Sequence, residues 1–458
     1  MSTQLNVLGA PRPKYVSTRN ACKLCAPLGA CLALRGIEGA VPFLHGSQGC
    51  ATYMRRYIIS HFKEPMDIAA SNFSEASAVF GGGENLSLGL RNVTKQYQPS
   101  LIGVATTCLS ETIGEDVPML LREYRSKLDG DASPELVHMS TASYRGTHMD
   151  GFHAAVQSVI DALAEGGPRE NHVNVFPGMV SPADIRYLKE VFADFMLEPV
   201  LLPDYSDTLD GPALDTYHKI PEGGTPIAAV RSAGRAAATI EFGRTISRSA
   251  SAGTLLEERC CVPCHRLGLP IGVHETDRLF EVLETISALP SPTRHERERG
   301  RLIDSYVDGH KYVSGKRAVV YGEEDLVTGL AAFLSEIGVV PVLCASGGES
   351  GGLAQAIAEV TQDTVGQIAV REGADFMSIA EEAAALKPDI LVGNSKGYAL
   401  ARQLGVPLVR VGFPIHDRIG GQRILHLGYR GAQQLFDRIA NALIESKQES
   451  STVGYSYM

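Results

Sequence analysis

The chain has 458 residues, 44% of them hydrophobic and 21% charged, and carries a formal net charge of −10 at pH 7. This composition is that of an ordinary globular protein, and the length predicts about three domains, each large enough for its own core. Because no basic block is longer than Arg55-Arg56 and no apolar stretch is long enough to cross a bilayer, the sequence predicts neither a nucleic-acid nor a membrane partner. The N-terminus lacks an apolar signal segment, so a cytoplasmic location is expected.

The N-terminal part of the chain leads into a first cysteine at the start of a helix. Residues 1 to 20 contain Pro11 and Pro13, show little periodicity and are predicted to form an extended arm. The run APLGACLALRG that follows Cys25 is rich in Ala and Leu and ends in glycine, which predicts a helix. The helix dipole would favour a thiolate at Cys25.

Two more cysteines lie in loops next to apolar runs. Cys50 ends HGSQGC and precedes ATYMRRYIISHF, which has apolar residues at helical spacing, so Cys50 is expected where a loop enters a helix. Cys108 follows the apolar, β-rich run SLIGVATT, which predicts a ligand position at the carboxyl end of a strand. Together with Cys25 they suggest sulfur ligands held by turns, while buried structural cysteines are the alternative.

The glycine-rich motif VFGGGENL, which covers Val79 to Leu86, places Phe80 before three glycines. From these residues alone, a loop with a half-buried aromatic side chain is the simpler interpretation.

A second unit begins with the strand VNVF. Ser181 is a predicted N-cap, Pro182 occupies the first helical position, and an apolar stripe follows. The segment from Asp204 to Gly224 is rich in Asp, Gly and Pro and is predicted to be a loop. The run CCVPCHRLGLPIG contains Cys260, Cys261 and Cys264, which we interpret as thiols at a strand edge with no assigned partner.

A third unit opens with KRAVVYGEEDLVTGLAAFLSEIGVVPVLCASGG, which reads as strand, helix and strand, and the pattern recurs in DILVGNSKGYALARQLGVPLVRVGFP. The GNSKG turn is weak evidence for phosphate binding, and no glycine-rich nucleotide motif stands at a strand-to-helix turn. The recurring pattern predicts an α/β fold of three Rossmann-like αβα domains with parallel sheets, at residues 1–170, 171–315 and 316–458.

Two carboxylates stand out near the end of the second unit. Asp304 and Asp308 are four residues apart, so they share a helix face that suits a hard cation or an ion pair, although a solvated face explains them equally simply. No Ser-His-Asp arrangement or H-E-x-x-H motif supports a hydrolase.

The nine cysteines argue for metal ligation rather than disulfides in a reducing cytosol. The pairs Cys22/Cys25 and Cys261/Cys264 have C-x-x-C spacing, which makes a zinc site the first rival. The pairs lie more than two hundred residues apart, however, far outside the spacing of zinc ribbons or fingers.

Several motifs, in order along nearly the whole chain, resemble those of the β-type large subunit of the nitrogenase component 1 superfamily. They are CAPLGA, HGSQGC, HFKEP, AVFGGGENL, TTCLSE, the S-x-x-x-x-H segment from Ser143 to His148, NVFPGMVSP, GNSKG and VGFPIHDR. The resemblance implies that this chain holds part of an iron-sulfur cluster of the 8Fe-7S P-cluster type, shared with an α-type partner in an α2β2 heterotetramer.

Individual positions acquire roles through that resemblance. Cys25, Cys50 and Cys108 match the three β-side cluster cysteines, and Ser143 matches the serine that can ligate the oxidised cluster. Tyr53 falls on the aromatic residue between that cluster and the partner's catalytic cofactor. Two further matches concern interfaces: the docking patch for an ATP-dependent iron protein at Phe80, and a divalent cation site between two β subunits at Glu64, Asp304 and Asp308.

The family has several branches, and the sequence favours one of them. All three cysteines and the serine are present, which favours a reductase over a cofactor-assembly scaffold. The chain lacks the long N-terminal extension of molybdenum-nitrogenase β subunits, and its ending, with a terminal VGYSYM, resembles the scaffold and nitrogenase-like groups. The nearest match is therefore a methylthio-alkane reductase-like β-type subunit. The alternatives are an assembly scaffold, a dinitrogen-reducing nitrogenase and a zinc-stapled or cluster-free structural subunit. Because Cys22 and Cys31 lie beside Cys25, the sequence leaves open which of these thiols binds the cluster.

Overall fold

The computed structural model describes residues 20–127, 133–361 and 367–452. The arm predicted for residues 1 to 20 lies outside the described residues except for Asn20, and so does the terminal VGYSYM. Within the described ranges, no helix is both long enough and apolar enough to span a membrane.

Three parallel sheets form the framework and confirm the predicted α/β class with parallel strands. The first has the strand order β2-β1-β3-β4, the second β6-β5-β7-β8 and the third β11-β10-β9-β12-β13. The strands are β1 (Ala40–His45), β2 (Ala69–Ala70), β3 (Leu101–Thr106), β4 (Glu135–Met139), β5 (Val173–Phe176), β6 (Pro199–Leu201), β7 (Ala238–Phe242), β8 (Cys264–Leu267), β9 (Arg317–Gly322), β10 (Val340–Ser346), β11 (Ala369–Arg371), β12 (Ile390–Gly393) and β13 (Leu408–Arg410). The domain boundaries near residues 170 and 315 stay a prediction.

Helices connect these strands and cover the sheets. They are α1 (Ala26–Arg35), α2 (Gln48–Phe62), α3 (Glu75–Phe80), α4 (Gly83–Tyr97), α5 (Cys108–Ile113), α6 (Val117–Ser126), α7 (His148–Leu163), α8 (Pro182–Asp194), α9 (Ile227–Ser232), α10 (Ala252–Cys260), α11 (Val273–Ser287), α12 (Thr293–Val313), α13 (Glu324–Glu336), α14 (Leu353–Val360), α15 (Phe376–Leu386), α16 (Tyr398–Leu404) and α17 (Gly428–Glu449). Short 3₁₀ turns lie at Ala233–Arg235, Arg248–Ala250, Ser395–Gly397 and Gly421–Arg423.

Local sequence signals explain how α8 begins. The Ser181 hydroxyl accepts a hydrogen bond from the Asp184 N–H, the Asp184 carboxylate accepts one from the Ser181 N–H, and Pro182 opens the helix. The predicted apolar stripe is buried, and its members are Ile185, Leu188, Val191 and Phe192. The loop predicted from residue 204 to 224 contains neither helix nor strand.

One hydrophobic core runs through all three sheet units. Leu28 and Leu44 of the first unit, Phe192 of the second, and Val320 and Leu330 of the third belong to the same buried cluster. The units therefore cannot separate without exposing apolar surface, and the position of one sheet depends on the others.

Helices α1 and α7 pack backbone against backbone. A Cβ atom on Gly29 would lie 1.6 Å from the His148 carbonyl oxygen, and one on Gly151 would lie 1.8 Å from that of Ala26. Only glycine fits at these two positions, which bring the N-terminal ends of the two helices together.

Buried polar contacts join the sheet units where their loops meet. The Asp184 carboxylate accepts hydrogen bonds from the N–H groups of His426 and Leu427 and pairs with the His426 imidazole at 2.9 Å. His61, at the end of α2, accepts a hydrogen bond at Nδ1 from the Ile415 N–H at 2.8 Å. Burial lowers the pKa of His61 to about 3, so this ring is neutral in the folded protein.

His61 should make the stability of the protein fall in mild acid. Its pKa is about 3 when folded and about 6.5 when unfolded, so the unfolded chain binds a proton first as the pH falls. Between pH 7.5 and 5 this group alone should remove about 2 kcal/mol from the free energy of unfolding, while that stability is fully present above about pH 6.5. In urea titrations at several pH values, His61→Asn should show a pH dependence shallower by this amount. The exposed His310→Asn serves as the control and should follow the wild type; parallel curves for His61→Asn and the wild type would contradict the expectation.

Candidate functional site

Three cysteines converge at the carboxyl edge of the first sheet. Cys50 lies in the first turn of α2, which follows β1, and Cys108 is the first residue of α5, which follows β3. Cys25 is the N-cap of α1. Strands β1 and β3 are neighbours at the point where the strand order reverses, and loops at such a point form the usual binding crevice of an open α/β sheet. The helical and strand positions predicted for these cysteines are confirmed.

The three thiols are close enough to influence one another electrostatically. Burial raises the pKa of Cys50, and the neighbouring Cys25 and Cys108 raise it further because adjacent thiolates would repel each other. All three cysteines are unpaired and half-buried. A bound cationic or metal-containing group would remove this repulsion, and the three helix N-termini would further stabilise thiolate ligands.

Ser143 joins this group of thiols. Its backbone N–H donates to the Cys108 sulfur at 3.2 Å, and its hydroxyl oxygen accepts a hydrogen bond from the Ala26 N–H at 3.3 Å. Ser143 therefore bridges the first turn of α1, next to Cys25, and the start of α5. The structure brings all four predicted ligands together, and their role as ligands stays a prediction.

The neighbouring thiols of Cys22 and Cys31 have a different environment. Both are buried among apolar side chains, and burial raises the pKa of Cys22 to about 12 and that of Cys31 still further. Thiols of this kind stay protonated and are poor ligands. Of the three cysteines in this segment, Cys25 alone is partly exposed beside Cys50 and Cys108.

The cysteines of the run CCVPCHRLGLPIG, Cys260, Cys261 and Cys264, are not part of this group of thiols. Cys264 is the first residue of β8, an edge strand, as predicted. The same prediction is wrong for Cys260, which ends α10, and for Cys261, which caps that helix in a left-handed conformation with a φ of 55°. The helix persists because its C-terminal cap is closed by backbone hydrogen bonds from Cys261.

Apolar side chains surround the thiols on an exposed face. Tyr53 is 46% exposed and lies 4.8 Å from Tyr57 between ring centroids. Leu109 and Tyr144, which directly follow Cys108 and Ser143, are exposed as well. An exposed apolar surface of this kind is typical of a contact face with a partner.

The donor set fits an inorganic cluster better than a single ion. Three thiols at helix N-termini and one hydroxyl in a neighbouring turn, on a partly open face, suit a cluster whose other ligands come from a second chain. Throughout residues 20–127, 133–361 and 367–452, no three His, Cys, Asp or Glu side chains surround a position for one metal ion.

Phe80 lies on a second exposed surface. It ends α3 with 88% of its surface exposed, next to Val79 at 75%, so the half-buried aromatic predicted from the residues alone is wrong. Gly81 adopts a φ of 96°, which releases the chain from the helix. A Cβ atom on Gly82 would lie 2.2 Å from the Phe73 ring, so glycine is needed there too.

Glu115 connects this glycine turn to the cysteine-bearing edge. One carboxylate oxygen accepts a hydrogen bond from the Gly82 N–H, and the other pairs with His45 Nε2 at 2.7 Å. The His45 carbonyl oxygen in turn accepts hydrogen bonds from both the N–H and the hydroxyl of Thr107, the residue before Cys108. The turn after Phe80 is thus held against the strand ends that position Cys50 and Cys108.

The carboxylates predicted for a cation site are not gathered within one chain. Asp304 and Asp308 are exposed on α12, as the predicted shared helix face requires, and Glu64 is half-buried after α2. Burial raises the pKa of Glu64, and Asp210 adds to this effect. A site between two copies of the chain stays a prediction.

Two residues important to the geometry were missed by sequence reasoning. His148 accepts the Leu24 N–H at Nδ1, and Lys396 donates to backbone carbonyls just before Cys25. Both lie in motifs that the sequence analysis had singled out, but neither motif reveals a partner that is distant in sequence.

Comparisons with known proteins agree with this geometry. A family model described as nitrogenase component 1 type oxidoreductase matches residues 25–444. The nitrogenase molybdenum-iron protein beta chain of Clostridium pasteurianum is 36% identical over 94% of both chains, and that of Methanothermobacter thermautotrophicus is 35% identical over 98% of both. The nitrogenase iron-molybdenum cofactor biosynthesis protein NifN of Bradyrhizobium diazoefficiens is 32% identical, over 96% of this chain and 92% of its own length.

A solved structure titled "Nitrogenase Cp1 at pH 6.5" superposes with a TM-score of 0.92 at 33% identity, covering 98% of each chain. The coverage of these relatives also corrects one argument from the sequence. Molybdenum-iron beta chains of this length exist, so a missing N-terminal extension does not separate this chain from them.

Replacing Glu115 with Ala should destabilise the protein. The substitution leaves the Gly82 N–H and the buried His45 ring without their acceptor, which should cost roughly 1–3 kcal/mol in the free energy of unfolding. Thermal unfolding of Glu115→Ala should therefore begin at a lower temperature than that of the wild type. Glu123→Ala, which removes an exposed carboxylate paired with Lys127, is the matched control and should unfold like the wild type. Equal melting temperatures for the two variants would show that Glu115 does not hold the turn.

Proposed function

The chain belongs to the nitrogenase component 1 type oxidoreductase family as a β-type subunit, and from that premise we propose that it is the electron-relay subunit of a nitrogenase-like reductase. The observation that carries the proposal is the convergence of Cys25, Cys50 and Cys108 on one partly open face. The catalytic cofactor would lie on an α-type partner, and this chain would deliver electrons to it.

In this proposal the three thiols, with Ser143 available in the oxidised state, bind one half of an 8Fe-7S cluster of the P-cluster type. The cluster supplies one- and two-electron storage between the reductant and the catalytic cofactor. Three helix N-termini stabilise the thiolates, and the apolar rim of Tyr53, Leu109 and Tyr144 excludes water once the α partner covers it. Tyr53, one helical turn beyond Cys50, lies on the proposed electron path.

Two other surfaces would make contact with partners. Phe80 and Val79 form an exposed apolar patch where an ATP-dependent iron protein would dock. Glu64 with Asp304 and Asp308 of a second copy would hold a divalent cation at the centre of an α2β2 heterotetramer, since carboxylate oxygens are the ligands that hard cations prefer.

For the substrate we propose a thioether, as in methylthio-alkane reductases, because the ending GYRGAQQLFDRIANALIESKQ resembles the scaffold and nitrogenase-like groups. Relatives named as molybdenum-iron beta chains favour dinitrogen as the second candidate. The relative named NifN favours a cofactor-assembly scaffold as the third, although the complete set of three cysteines and a serine supports a reductase. The side chains that select the substrate would belong to the α partner, so the complex has to be assayed whole.

The first test is to purify the chain anaerobically with its α partner, count iron per αβ pair and record electron paramagnetic resonance spectra. An eight-iron cluster whose signals change on two-electron oxidation, beside a second large cluster, is expected for a reductase. Turnover of thioethers or dinitrogen with the iron protein then distinguishes the two substrates. A four-iron spectrum with a transferable second cluster would instead identify a scaffold, and the absence of iron would leave a structural subunit.

Replacing Cys50 with Ala should remove the interface cluster. The expected result is the loss of most iron at this site and weaker assembly with the α partner, because one of three ligands is lost. Cys261→Ala, which removes an exposed cysteine far from the site in sequence, is the control and should retain the iron content of the wild type. Unchanged iron in Cys50→Ala would refute the proposed ligand set.

Replacing Phe80 with Ala should impair docking of the iron protein. Truncating an exposed aromatic anchor should reduce iron-protein-dependent electron transfer by about tenfold or more at limiting iron protein. Electron transfer from a small chemical reductant should be unaffected. Met196→Ala removes another apolar side chain, 79% exposed and outside the patch, and should behave as the wild type. Equal rates for both variants would place docking elsewhere.

A further inference from the structure

The GNSKG turn has a structural partner that its sequence does not reveal. Its first residue, Gly393, is the last residue of β12. The Asn394 side-chain amide donates to the Phe413 carbonyl at 3.1 Å, and the Asn394 backbone carbonyl accepts from the buried Tyr321 hydroxyl at 2.8 Å. A Cβ atom on Gly397 would lie 1.9 Å from that hydroxyl oxygen. The turn is therefore held firmly against the third sheet.

Lys396 projects from this turn onto the segment before Cys25. Its ammonium group donates to the Ala21 carbonyl oxygen at 2.8 Å and to the Lys23 carbonyl oxygen at 3.3 Å. The side chain is half-buried, and no carboxylate in the described residues forms an ion pair with it. The positive charge is thus bound by neutral carbonyl groups and is not cancelled locally.

The same segment is fastened to the third sheet unit on its other side. The Cys22 N–H donates to the Ala374 carbonyl, the Gly347 N–H donates to the Cys22 carbonyl, and the Phe376 N–H donates to the Asn20 carbonyl. Leu24 then exchanges two hydrogen bonds with His148 of α7, at 3.3 and 2.9 Å. Cys25 follows directly, so its position is set by contacts on both sides.

The charge of Lys396 acts on this cysteine. Burial lowers the pKa of Lys396, whereas Cys22 and Cys25 oppose that shift by favouring the charged ammonium. Cys22 is fully buried and holds its proton, since burial raises its pKa to about 12. The ammonium is bound to the Lys23 carbonyl, two residues before Cys25, and Cys25 is the partly exposed thiol of this segment, so the charge of Lys396 lies beside Cys25 in the chain.

We propose that Lys396 is a positioning residue that holds the Cys25 segment in place and offsets the negative charge of the Cys25 thiolate when it binds a cluster. This inference rests on the proposed function, because Cys25 must be a ligand. A nearby positive charge favours the reduced, more negative state of a cluster, so Lys396 would raise the reduction potential on the side of Cys25.

The experiment compares Lys396→Met with Lys396→Arg in the anaerobically purified complex with the α partner. Iron per αβ pair, the midpoint potential from redox titration and the melting temperature are measured for each. Lys396→Met should shift the midpoint potential to a more negative value, because the positive charge is lost. Lys396→Arg keeps the charge and can still donate to the two carbonyls, so it should stay near the wild type. Lys63→Met, which removes an exposed lysine, should leave the potential unchanged.

The outcomes separate this inference from the proposed function. Loss of iron in Lys396→Met with retention in Lys396→Arg would also support the inference, because it would show that the Cys25 segment binds iron only when a cation at position 396 holds it in place. A full iron content and a wild-type potential in Lys396→Met would overturn the inference and leave the proposed function intact. Equal shifts in Lys396→Met and Lys396→Arg would overturn it as well. Absence of iron from the wild-type complex would overturn the proposed function and this inference with it.

Discussion

The candidate site depends on the parallel pairing of β1 with β3. Six residue pairs align these strands, from Ala40 opposite Leu101 to His45 opposite Thr106, so both strands end at the same level. The chain leaves β1 toward Cys50 and β3 toward Cys108. A one-residue change in this register would displace the end of one strand, and the cysteine that follows it, by about 3.3 Å relative to the other.

Electrostatic cost explains why so much structure surrounds the thiols. Sulfur atoms that repel one another when deprotonated do not gather unless packing holds them together. Here the close approach of α1 and α7 at Gly29 and Gly151 and the hydrogen bonds of Ser143 supply that constraint. The continuous core extends this constraint to all three sheet units, so the apolar surface buried far from the site helps to keep the three thiols together.

The sequence was a good guide wherever a signal was local. The capped start of α8, the strands β5 and β9, and the positions of Cys25, Cys50 and Cys108 relative to their helices follow from residues adjacent in the chain. The convergence of those cysteines could be expected only from the rule for parallel sheets and from the family resemblance. Contacts such as Glu115 with Gly82 or Lys396 with Ala21 lie beyond sequence reasoning, because a charged side chain has many possible partners and the fold selects among them. Burial at Phe80 was misjudged for a related reason, since exposure depends on what surrounds the turn.

The fastening of the N-terminal segment to the third sheet has a consequence for biosynthesis. Ala21 and Lys396 are 375 positions apart, so the contact that holds the Cys25 segment forms only after most of the chain has left the ribosome. Nascent chains fold from the N-terminus, and long-range contacts form late. The first sheet unit can therefore emerge with Leu24 and Ala26 already bound to His148 and Ser143, while the segment before Cys25 still lacks its contacts with the third sheet. A chain truncated before residue 396 would keep the contacts of Leu24 and Ala26 with the first unit but lose those of Ala21 and Lys23 with Lys396, so the segment leading into Cys25 would be held on one side only.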